Sequence, residues 1–219
     1  MCVSSRSSLV LFLSGFIGSL ALLYKTKDLK YLTIMFIIMM QLAEYFMWID
    51  IESGGNYPSL NIIGNYIGII SLFLQTSGII MFIPKKYGTI SNCGTLGTIV
   101  LTINIIYYLV TTYIYTKAVL KTEKQQAFSS VGKSNTLSWA MVPNSSAFKM
   151  IGLIMFIISN IHNNIVYFNT YMYSFVNIFL IIISTKFVHS FHVEYFGSIY
   201  CYFGAISLVI YVVYELLKN

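Results

Sequence analysis

One carboxylate stands well inside an apolar run: Glu44, in the stretch YLTIMFIIMMQLAEYFMWID that begins at Tyr31. Burying a charge at that depth costs at least about 2.5 kcal/mol on insertion scales, so such a residue faces a bundle interior or water. Gln41, Glu44 and Trp48 recur at i, i+3 and i+7, which puts them on one helix face. That face can serve a proton relay, bind a cation or do general acid–base work. It can equally hold a neutral Glu hydrogen-bonded to a neighbouring helix, because burial disfavours the charged form.

A second group of residues carries metal-ligand chemistry. His189, His192 and Glu194 lie within one short segment, and imidazole with carboxylate suits zinc. The plain alternative is a pair of solvated interfacial histidines. The three cysteines, Cys2, Cys93 and Cys201, are dispersed and form no CxxC pair. If Met1 is removed, Cys2 becomes the first residue, and its thiol and amine could act together, or the thiol could be acylated; an ordinary tolerated residue is the favoured reading. Cys201 has no neighbour in sequence that would lower its pKa, which argues against a nucleophile there.

Those residues must be positioned by helices in lipid. Of the 219 residues 57% are hydrophobic and only 9% charged, far from the roughly 25% charged of soluble domains. Mean hydropathy is +0.76. The predicted fold class is all-α, a polytopic membrane bundle forming one transmembrane domain over residues 1–219. A span needs about 20 apolar residues. Seven are predicted: Ser8–Tyr24, Tyr31–Ile49, Leu60–Ile83, Leu96–Tyr115, Ala147–Ile165, Tyr171–Val188 and Phe196–Leu217. Residues 117–146 are Ser/Lys/Gln-rich and read as a flexible polar loop between helices four and five. The first span resembles a signal peptide in having Arg6 ahead of it, but it is long and no cleavage site follows, so it is read as retained.

Small residues mark the packing faces. Gly64, Gly68, Ser71, Gln75 and Gly78 share roughly one face of the third span, and Ser14, Gly15, Gly18 and Ser19 serve the first. Gly197, Ser198, Cys201, Gly204 and Ala205 open the last. Small residues at this spacing let helices approach closely.

The net charge of +6 sits between the apolar runs, as loops beside anionic headgroups require. No segment is long enough to form the basic face that nucleic acid needs. Lys25, Lys27 and Lys30 follow span one and Lys85 and Lys86 follow span three, which places the N-terminus outside. Lys117, Lys121, Lys124 and Lys133 argue the other way. In either orientation, seven spans bring Cys2, the serines at 4, 5, 7 and 8, Glu44, Asp50, Glu52, Asn65, His189, His192 and Glu194 toward one face. His162 falls on the other.

Three motifs together carry a resemblance. The chain opens Met1-Cys2-Val3-Ser4, the second span holds Gln41-x-x-Glu44-x-x-x-Trp48, and the last opens Phe196-Gly197-Ser198-x-x-Cys201. This resembles an uncharacterised multi-pass membrane family. Its bacterial members begin Met-Cys-Phe-Ser and end in a Gly-Ser-x-Trp-Cys helix, and it has relatives in giant DNA viruses. Val3 stands in place of Phe, and Tyr200 in place of Trp. The heavy use of Ile, Asn, Lys and Tyr fits an AT-rich viral source. The resemblance implies a seven-helix membrane fold, and a host-cell or virion membrane if the source is viral. It implies no activity.

Two functions follow as expectations. The first is a non-enzymatic multi-pass protein, a small transporter or channel or a scaffold, with Glu44 as an intramembrane functional acid beside Gln41, Trp48 and Asn65. It needs no cofactor, and its expected partner is the lipid bilayer, with a homo-oligomer compatible. The alternative is a metal-dependent intramembrane hydrolase acting on lipid, with zinc held by His189, His192 and Glu194 and with Glu44 beside it. A retinal protein is excluded, since the only lysine near the last span is Lys218 at its very end.

Overall fold

The first helix begins where Ser4, fully extended at φ −174° and ψ 163°, accepts the Ser7 amide hydrogen at 3.3 Å. This N-cap satisfies one of the amides a helix start leaves without a partner. The computed structural model describes residues 4–82, 94–121, 127–131, 137–140, 151, 152, 154, 158 and 196–218. Helix α1 (Ser5–Thr26) ends at Lys27, whose φ of 57° lets its amide reach the Leu23 carbonyl at 2.8 Å. The Lys27 ammonium sits 4.2 Å from the Tyr24 ring centroid.

Helix α2 (Lys30–Glu52) is central and packs against α1, α3 (Pro58–Phe82) and the last helix, α5 (Phe196–Lys218). Its N-terminal half buries Tyr31, Ile34 and Ile38 with Leu22 of α1 and Leu208 and Val212 of α5. Farther along, Met40 joins Ile69, Tyr108 and Tyr115, while Ala43, Met47 and Trp48 join Leu137. The α2–α3 turn uses Gly54 and Gly55 at φ of 76° and 86°, a region costly for side chains with a Cβ. Pro58 then starts α3, where its missing N–H costs nothing.

The helices approach closely at glycines. A Cβ on Gly64 would stand 2.7 Å from the Ala43 carbonyl oxygen, so α2 and α3 meet nearly backbone to backbone. Gly15 lies against Ile38 and Gly18 against Val212. Ser14, which shares the predicted small-residue stripe, is exposed and donates back to the Val10 carbonyl at 2.7 Å.

Helix α4 (Gly94–Leu120) packs on α3 through aromatic edges: Tyr66 on Tyr115 at 5.0 Å and 75°, and Phe73 on Tyr108 at 5.7 Å and 70°. Its other side exposes Ile99, Ile103, Ile106, Val110 and Tyr113. Helix α1 likewise exposes Val10, Leu13, Ile17, Leu20 and Tyr24. Apolar stripes of that length are rare on proteins that fold in water. Among the described residues, four helices are long and apolar enough to cross a membrane: Ser5–Thr26, Tyr31–Glu52, Pro58–Ser77 and Gly97–Leu120. The described architecture is thus an all-α bundle.

The first four expected spans match helices α1 to α4, and the seventh matches α5. The fifth, Ala147–Ile165, is described only at residues 151, 152, 154 and 158, all helical. The sixth, Tyr171–Val188, lies outside the described residues. The 117–146 segment is not loop from its start: α4 continues to Leu120, because Tyr115 and Ala118 keep burying one face. Beyond it, β1 (Ser130–Val131) and β2 (Leu137–Ser138) pair antiparallel, Val131 opposite Leu137. Ala127, Ser129 and Leu137 are buried against the helices, which anchors this part of the segment.

Candidate functional site

Asp50 and Glu52 occupy the C-terminal turn of α2, the wrong end of a helix for negative charge. Each is offset by a neighbouring helix start. The Glu52 carboxylate accepts the Ser5 amide at 2.8 Å and the Ser5 hydroxyl at 2.5 Å, at the N-terminus of α1. The Asp50 carboxylate accepts the Tyr57 amide at 2.9 Å, at the N-terminus of α3, and the Asn61 Nδ2 at 3.0 Å. These contacts bring the N-terminus of α1 and the α2–α3 turn to one end of the bundle.

Ser129 extends that end inward. Its amide donates to Asn61 Oδ1 at 2.9 Å, and its carbonyl accepts Asn61 Nδ2 at 3.0 Å. Its hydroxyl donates to Asn65 Oδ1 at 2.9 Å and accepts the Ala140 amide at 2.9 Å. Tyr115 Oη donates to the Ala127 carbonyl at 3.0 Å. The segment after α4 is therefore fastened into the bundle end by side chains of α3 and α4.

Two observations fix the α2–α3 register. Asp50 bonds to Tyr57 and Asn61, centred on Ser59. Gly64 faces Ala43 and Met47, centred on Tyr45. One antiparallel register satisfies both, and it sets Glu44 level with Asn65, Gln41 with Gly68 and Thr33 with Thr76. Glu44, Gln41 and Asn65 are each 0% exposed and Trp48 is 6% exposed. The expected face of α2 does point inward.

Polar residues run on from this level. On α3, Asn61, Asn65, Ser71, Gln75, Thr76 and Ser77 are all buried. Asn61 to Ser77 covers about 24 Å of helix axis, most of a hydrocarbon core of about 30 Å. Ser71 and Thr76 donate to carbonyls of their own helix at 2.7 and 3.0 Å. Near the opposite end, Tyr31 Oη donates to Glu215 Oε2 at 3.4 Å. Among the described residues, the Gln41 carboxamide and the indole N–H groups of Trp48 and Trp139 have no hydrogen-bond partner although fully enclosed. Buried groups of that kind are uncommon and call for a cause.

Gln41, Glu44, Trp48 and Asn65 thus share one interior region. Gly64 lies at its closest helix crossing, and Gly68 is buried on the same helix. Gly197 and Cys201 lie in α5. Cys2, His162, His189, His192 and Glu194 lie outside the described residues, and among the described residues no three His, Cys, Asp or Glu side chains group as a metal site would need. Sequence reasoning missed Asn61, Ser129 and Trp139. A faint signal existed: Leu137 and Trp139 alternate with polar residues after Gly132-Lys133-Ser134-Asn135, a hairpin pattern. No protein-family model matches this chain, and neither a curated protein nor a solved structure matches it.

Proposed function

We propose that this chain is a small multi-pass membrane transporter whose passage runs along the inward polar faces of α2 and α3, beside their close contact at Gly64 and past Glu44, which binds and releases protons. One observation carries the reading: Glu44 is wholly buried, level with Asn65, within a string of buried polar residues that covers most of a bilayer's hydrocarbon thickness. An ionisable residue in a membrane interior is costly and marks a proton or substrate path by default. Asparagine, glutamine, serine and threonine side chains along α3 supply hydrogen-bonding steps to either side of it. The anchored segment around Ser129 stands over the end that carries Asp50 and Glu52.

Seven spans, an outside N-terminus, a host-cell or virion membrane and kinship with the uncharacterised family belong to the same proposal. So does the packing role of Gly197 and Cys201. The motif residues Gln41, Glu44 and Trp48 support that kinship by sharing the interior face. Proton flux tests the function. Proteoliposomes holding the wild type dissipate an imposed pH gradient faster than empty liposomes, and Glu44→Gln returns the rate to the empty value. Equal rates for wild type and Glu44→Gln refute a proton-carrying Glu44.

A further inference from the structure

Lysine and tyrosine gather at one end of the bundle. A Cβ at Gly15 would meet Ile38, which sets Leu22 of α1 level with Tyr31 of α2. A Cβ at Gly18 would meet Val212 and Leu216 of α5, and Tyr31 reaches Glu215. Helices α1 and α5 are therefore parallel, and their C-terminal ends come level. In the chain that end holds Lys25, Lys27, Lys30 and Lys218 against Asp28 and Glu215. The Lys27 ammonium rests 4.2 Å from the Tyr24 ring centroid, and that of Lys218 rests 6.0 Å from the centroid of Tyr214. Lys25, Lys27 and Lys218 are exposed, and among the described residues none of the three pairs with a carboxylate. The opposite end is built differently, because Asp50 and Glu52 are both occupied by donors of a helix start.

We infer that this end binds one anionic phospholipid, its phosphate held by Lys25, Lys27 and Lys218 and an acyl chain laid along the line where α1 meets α5. Unpaired ammonium groups at a bilayer surface attract anionic headgroups. Lysine and tyrosine both keep a polar tip at headgroup depth while their apolar bodies lie against the chains. A free anion needs charge alone, whereas the face below Lys25 also offers a track for a chain. Ala21, Gly18 and Ser14 follow Lys25 at helical spacing, and Ala21 and Ser14 are exposed. Leu216 of α5, also exposed, borders Gly18. The lipid bridges two helices from opposite ends of the chain and holds α5 against α1. This site is independent of the passage at Glu44.

Thermal unfolding of the detergent-purified full chain tests it. The probes are dioleoyl phosphatidylglycerol, dioleoyl phosphatidylcholine and inorganic phosphate. Phosphatidylglycerol should raise the melting temperature saturably, by about 5 °C at saturation. Phosphatidylcholine has the same chains without net charge, and inorganic phosphate has the charge without chains, so neither should raise it. Lys25→Gln, Lys27→Gln and Lys218→Gln combined should increase the phosphatidylglycerol needed about a hundredfold. That variant should melt like the wild type without lipid, since all three side chains are exposed. Arg6→Gln, Lys117→Gln and Lys121→Gln combined remove equal charge from the opposite end, where α4 finishes beside the start of α3, and should leave the response intact. No rise with phosphatidylglycerol on the wild type, which needs no variant to fold, overturns the inference. So does an equal rise with phosphatidylcholine or inorganic phosphate. A response that survives the first triple variant, or that both triple variants lose alike, overturns it too.

Discussion

Asn61 and Ser129 hold each other by a pair of reciprocal hydrogen bonds, Asn61 Nδ2 to the Ser129 carbonyl at 3.0 Å and the Ser129 amide to Asn61 Oδ1 at 2.9 Å. The carboxamide thereby plays the part of a strand's peptide group. It gives an irregular stretch of backbone the partners it needs away from water, where an unsatisfied group is costly. Asn61 also donates to Asp50, so a single side chain links α2, α3 and the segment after α4.

Asn61→Ala should therefore cost about 2–3 kcal/mol, since it leaves the Ser129 amide and carbonyl buried without partners. Unfolding in detergent measures the loss. Acrylamide quenching of Trp139, read in a Trp48→Phe background, should rise at the same time as the segment loosens. Unchanged stability with unchanged quenching would show that the anchor lies elsewhere.

Gly64→Ala and Gly18→Ala should differ. The new Cβ at Gly64 meets the Ala43 carbonyl oxygen at 2.7 Å, part of a backbone that cannot turn away. At Gly18 it meets a Val212 methyl, a side-chain atom that yields by a small shift of α5 rather than by distorting a backbone contact. Overpacking of the first kind costs about 1–3 kcal/mol. Thermal unfolding should rank Gly64→Ala below Gly18→Ala, and the opposite order would refute the close α2–α3 crossing.

Much of this site was legible from residue spacing, because helical periodicity is local. Gln41, Glu44 and Trp48 fall on one face by number alone, and Asn65 follows from an antiparallel second helix. The Gly64 contact likewise follows from small residues at regular spacing. Ser129 was not legible, and Trp139 only by a faint alternation. Their partners lie far away in the chain, and two-residue strands carry too little alternation to stand out from a polar stretch. The polar segment's Ser, Lys and Gln content pointed outward, while among its described residues Ala127, Ser129 and Leu137 are buried.

Asp50→Asn and Glu52→Gln should part company as well. Both oxygens of Asp50 accept a donor, and the residue is buried. Asparagine would turn an NH2 toward one of those donors, for a loss of about 1–2 kcal/mol. Glu52 is exposed, and its bonds to Ser5 compete with water. Its substitution should leave the melting temperature unchanged within error. Equal losses from the two variants would contradict the buried role given to Asp50.

Sidedness can be read with single cysteines in a background where the three native ones are replaced by serine. Asn56→Cys and Ser130→Cys, both at exposed positions, should react with a membrane-impermeant maleimide from the same side. Lys25→Cys, at the other end of α1, should react from the opposite side. Labelling of positions 56 and 130 from different sides would break the arrangement in which Ser129 meets Asn61.

The most direct test of the central claim is chemical modification of Glu44 in intact membranes. A hydrophobic carbodiimide forms a stable adduct with a carboxyl group in an apolar site that solutes can reach, and peptide mapping by mass spectrometry locates it. The expected result is an adduct on Glu44 in the folded wild type, with none on the corresponding peptide of Glu44→Gln. Glu44 left unmodified in the folded protein, yet modified after unfolding, would mean that no passage reaches it and that its burial is structural.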